Sequence, residues 1–161
     1  MKWPEIQAPE SHSVSAAMGW LELGVPQEAQ AEIESLSFLH RYHPDVLVIR
    51  WKICARMLKW DQAMVLARCL VEIAPNQPAG HICLAYSLYN SQRVQEAYLE
   101  LRNAAQKFPK TGPIFYFLAR LASRVGPEAE AKLWLGRWKE IVDDRSMSGD
   151  PSHSQILRNP G

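Results

Sequence analysis

Alanine recurs at positions 29, 63, 97 and 131 of this chain, each thirty-four residues from the next. Its context recurs too: Pro26-Gln-Glu-Ala29, Trp60-Asp-Gln-Ala63, Val94-Gln-Glu-Ala97 and Glu128-Ala-Glu-Ala131 each put an acidic or amide side chain just ahead of the alanine. Such residues suit the first turn of a helix, where they complement the positive end of the macrodipole. Apolar segments of helical period flank each of these points, so every period reads as a hairpin of two helices. Glycine or polar residues fill the gaps inside hairpins at Leu23-Gly24-Val25-Pro26, Asn90-Ser-Gln-Arg93 and Val125-Gly126-Pro127. Prolines, which cannot continue a helix interior, separate the hairpins at His43-Pro44-Asp45, Pro75-Asn76-Gln77-Pro78 and between Phe108 and Pro113. The pattern predicts helices at 11–23, 27–41, 45–58, 60–73, 78–90, 94–107, 113–125 and 127–142.

A thirty-four-residue helix-turn-helix unit resembles the tetratricopeptide repeat (TPR) family. The third unit carries the clearest match, with His81, Leu84, Ala85 and Leu88 on the family's Trp-x-x-Leu-Gly-x-x-Tyr positions, followed by Ala97, Leu101, Ala104 and Pro109. The fourth matches through Phe115, Leu118, Ala119, Ala122, Ala131, Leu135 and Trp138, with Asp143 in place of the closing proline. In the first, Ala17 and Trp20 fit, Ser13 replaces a large residue, and Pro44 comes three residues late, which a longer second helix accounts for. In the second, Trp51 stands where a small residue lets helices approach, and Arg50 where leucine is expected. The resemblance implies an all-α, right-handed α-solenoid of about four TPR-like hairpins over residues 10–143. The repeats fall at about 10–43, 44–77, 78–111 and 112–143, after a flexible segment 1–9 and before a flexible tail 144–161. Ala63, Ala85, Ala97, Ala104, Ala119 and Ala131 are expected to permit close helix approach, with Leu70, Leu84, Leu101, Leu118, Leu135 and Trp138 filling the space between.

At 161 residues the chain suits one domain, and eighteen Lys and Arg against seventeen Asp and Glu give a net charge of +1. That balance exerts no overall pull on nucleic acid or an anionic membrane, so electrostatic function must come from local clusters. No apolar stretch has signal-peptide or membrane-spanning length, and a cytoplasmic location is expected. Cys54, Cys69 and Cys83 lack the spacing of a disulfide framework or a thiolate zinc site and are expected to be reduced and mostly buried. Phosphate-cradling loops, dinucleotide fingerprints, nucleophile elbows and His-Glu-x-x-His motifs are all absent from the sequence, so neither catalysis nor a cofactor is expected. His40 and His43 are too few for a metal site, and His81 and Cys83 face different sides of their helix.

In the family it resembles, the first helix of each unit lines a concave groove. On that mapping the groove would hold Met18, Glu22, Val48, Lys52, Arg56, Ile82, Tyr86, Tyr89, Asn90, Tyr116, Phe117, Arg120 and Arg124. Lys52 with Arg56, and Arg120 with Arg124, lie four apart and project from one helix face without an acidic partner at that spacing. The bland reading is a solvated cationic face; the functional one is a groove for an extended or helical peptide bearing carboxylates. The expected partner-binding set is Lys52, Arg56, Tyr86, Tyr89, Asn90, Tyr116, Arg120 and Arg124, and the expected activity is that of a protein-interaction scaffold. The arrangement by which some family members clamp a chaperone's C-terminal carboxylate is not reproduced. A secretion-type chaperone dedicated to one client, and a single-stranded RNA reader, are the alternative readings. Weak self-association through the C-terminal end, or cover of Trp134 and Trp138 by Ile156 and Leu157, is expected because the last unit lacks a polar capping helix.

Overall fold

The structure, a computed structural model, describes residues 3–148. Those residues form α1 (Glu10–Glu22), α2 (Pro26–Glu34), α3 (Pro44–Arg56), α4 (Trp60–Ile73), α5 (Ala79–Asn90), α6 (Val94–Lys107), α7 (Gly112–Val125) and α8 (Glu128–Ser148), with a single 3-10 turn at His40–Tyr42 and no strand among them. The all-α hairpin architecture is as the repeat predicts, and α4 and α6 begin and end where the sequence placed them. The chain divides into a first unit through Ser87 and a second from Leu88, with α5 contributing to both.

In the first unit, Ala17, Leu21, Ala29, Ile33, Leu36, Val46, Ile49 and Ile53 form one buried cluster, so the apolar stripes of α1 and α2 close under α3. Leu47, Leu70 and Ala74 form a second, with Ala79 packed against it. At Gly80 a Cβ would lie 2.8 Å from the Val71 backbone nitrogen, so α5 approaches α4 as closely as only glycine allows. In the second unit α6 buries Ala97, Tyr98, Leu101 and Ala104, and α7 buries Ile114, Phe117, Leu118 and Leu121.

Several sequence expectations are corrected. The second helix of the first unit is not extended: α2 ends at Glu34, and the extra residues form a connection leading to the 3-10 turn. Arg41 holds that connection by donating to the carbonyls of Leu36 (2.8 Å) and Glu34 (2.7 Å). Before α1, Trp3 and Pro4 contact the start of α3. Trp3 packs edge-on against His43 at 5.8 Å, and His43 Nε2 donates to the Pro4 carbonyl at 3.1 Å. His43 Nδ1 in turn accepts from the Asp45 amide, capping α3. At the other end α8 runs on to Ser148 rather than stopping at 142, while Ile156 and Leu157 lie outside the described residues. Leu135, expected in the core, is 37 % exposed, and Ala131 and Trp138 are only half-buried.

The turns inside the hairpins keep the repeat frame to the residue. Gly24, Leu58 and Gln92, again thirty-four apart, all have left-handed backbone, with φ of 75°, 56° and 64°. After each, the next amide reaches five residues back: Val25 to Trp20, Lys59 to Cys54 and Arg93 to Leu88, each at 2.9 Å. This is the Schellman closure, which satisfies carbonyls left over at a helix C-terminus. The fourth position, Gly126, is extended at φ −124° because Pro127 has no N–H to donate and disfavours helical backbone before it. Leu58 bears the left-handed penalty while 72 % exposed, so its side chain contributes little burial in return. Leu58→Gly is therefore expected to stabilise the fold by about 0.5–1 kcal/mol, and Gly24→Ala to destabilise it by about 1 kcal/mol. Thermal denaturation of both variants checks this pair.

One ionisable contact ties α1 to the connection. The Glu10 carboxylate accepts the Ser37 amide at 2.7 Å and pairs with His40 Nδ1. The Ser37 amide, then its hydroxyl and His40, hold the carboxyl below its ordinary 4.5 against the opposing effect of desolvation. A depressed folded value means that the contribution is fully present above 4.5 and is lost as pH falls through the folded value. The melting-temperature gap between the parent and Glu10→Gln is expected to be widest near neutral pH and to narrow on acidification through that range, as circular dichroism melts will show.

Candidate partner-binding surfaces

The first unit contributes Lys52, Arg56 and Tyr86. Trp51, the bulky residue at a small-residue position, sets their surroundings. Its indole N–H donates to Ser87 Oγ at 2.9 Å, and Ser87, fully buried, donates to the Cys83 carbonyl at 2.8 Å. The small serine leaves room for the indole and satisfies its donor. Tyr86 then lies between two tryptophans, edge-on to Trp51 at 5.8 Å and tilted to Trp60 at 6.2 Å, and remains half-buried. Lys52 is half-buried beside this cluster and Arg56 is exposed at the end of α3. Cys83 is buried, and burial pushes its thiol up to about 12 with Lys52 opposing, which makes it an inert packing group rather than a nucleophile.

The second unit contributes Tyr89, Asn90, Tyr116, Arg120 and Arg124. The Arg124 guanidinium stands over the Tyr89 ring, 5.0 Å from its centroid, and Tyr89 packs edge-on against the buried Phe117 at 5.9 Å. Cation–π attraction fixes the guanidinium without using its N–H donors as hydrogen bonds. Arg120 is exposed one turn away on α7, and half-buried Asn90 ends α5. Tyr116 is directed to α8, where its ring meets Trp138 at 5.3 Å. Two residues mapped to the groove are instead core: Ile82 and Phe117 are 5 % and 6 % exposed.

The sequence reading missed a buried polar connection in the second unit. Tyr98, 4 % exposed, donates its hydroxyl to Glu130 and accepts the Trp134 indole N–H at 3.4 Å. Burial first, and the Glu130 hydrogen bond second, raise the phenol above its ordinary 10. The three residues are thirty-two and thirty-six apart, so only the repeat frame, which sets α8 beside α6, could have suggested the pairing.

An array of thirty-four-residue helix hairpins with small residues at the helix crossings is a tetratricopeptide-type helical repeat fold. Solved structures similar to it include two that superpose over most of the chain. "MamA RS-1 ArsTM double mutant" superposes with a TM-score of 0.70 at 14 % identity, covering 90 % of this chain and 80 % of that one. "MamA MSR-1 C2" gives 0.65 at 19 %, covering 88 % and 82 %. No protein-family model and no curated protein sequence matches the chain. At these identities the likeness establishes the fold. No helix among the described residues is long and apolar enough to cross a membrane.

Ser87→Ala is expected to cost about 1–3 kcal/mol in urea denaturation, because it strands the Trp51 donor in a part-buried site. Adding Trp51→Phe should cost little more than Ser87→Ala alone, since the stranded donor is then gone.

Proposed function

We propose that this chain is a non-catalytic protein-interaction module that binds an acidic peptide or protein segment through its first helices. The observation that carries the reading is Arg124 held over Tyr89 with exposed Arg120 beside it on α7. A guanidinium pinned by a ring loses little side-chain freedom on binding a carboxylate, and a bidentate, charge-assisted pair follows from its fork geometry. Asn90 supplies an amide and the exposed face of Tyr116 contact area. Lys52, Arg56 and Tyr86 give the first unit a contact set of the same composition. Aromatic and arginine anchors are the residue types in which interface binding energy concentrates. The net charge of only +1 weighs against the RNA-reading alternative.

The test starts from a partner recovered from native lysate, with affinities then measured at two salt concentrations. Reversal of Arg120 and Arg124 to Glu is expected to cost about 2–5 kcal/mol of binding, and Tyr86→Ala about 1–3 kcal/mol where the ring is an anchor. Circular dichroism checks that each variant stays folded. A folded double reversal that binds as tightly as the parent would move the interaction surface elsewhere. Steeply salt-dependent binding of single-stranded RNA would favour the nucleic-acid reading instead.

A further inference from the structure

We draw no further inference here: the strongest candidate, the partly exposed apolar face of α8 that carries Leu135 and Val142, has nothing in the structure to show what covers it.

Discussion

Close approach of helix backbones at a repeated alanine is the constraint from which the rest of this structure follows. Ala29, Ala63 and Ala97 are each fully buried, and so is Ala17 across the first hairpin. A methyl group is all that these crossings admit, and a larger side chain there would force neighbouring helices apart. Fixing one crossing per thirty-four residues fixes the length of each helix pair, and with it the position of every turn. The left-handed residues at 24, 58 and 92 show how strongly. Only the first is glycine; at the other two, leucine and glutamine are held in an unfavourable conformation by the packed helices on both sides.

Much of this was legible in the sequence because it depends on local period and on residue size. Helices α4 and α6 have a clean apolar stripe and end just ahead of Pro75 and Pro109, and both were bounded to the residue. What escaped was decided by contacts distant in sequence. The stretch from Glu34 to Tyr42 retains helical periodicity, yet the Ser37 amide is taken by Glu10, twenty-seven residues away, and Arg41 fills carbonyls that a continuing helix would have paired internally. Trp51 looked misplaced when set against the small residues of its frame. It is accommodated by Ser87, thirty-six residues on, a partner that no local pattern announces. Contact of Pro4 with His43 belongs to the same class.

The candidate site divides along the same line. That Arg120 and Arg124 share an exposed helix face was readable from their spacing, as was the aromatic content of α5. That Phe117 is core was not, because it follows the exposed Tyr116 directly and one residue of helix rotation separates groove from interior. Nor was the pairing of Arg124 with Tyr89. It converts a flexible surface cation into a positioned one.

The second unit thus carries two exposed chemistries of different physical kind. On the proposed reading, the Tyr89, Arg120 and Arg124 surface would act through charge, and its association rate and affinity would fall as salt screens it. Leu135 and Val142 are apolar side chains left partly exposed on α8, where contacts would depend on apolar burial, which salt leaves largely intact. On α1, by contrast, His12 and Ser15 are exposed.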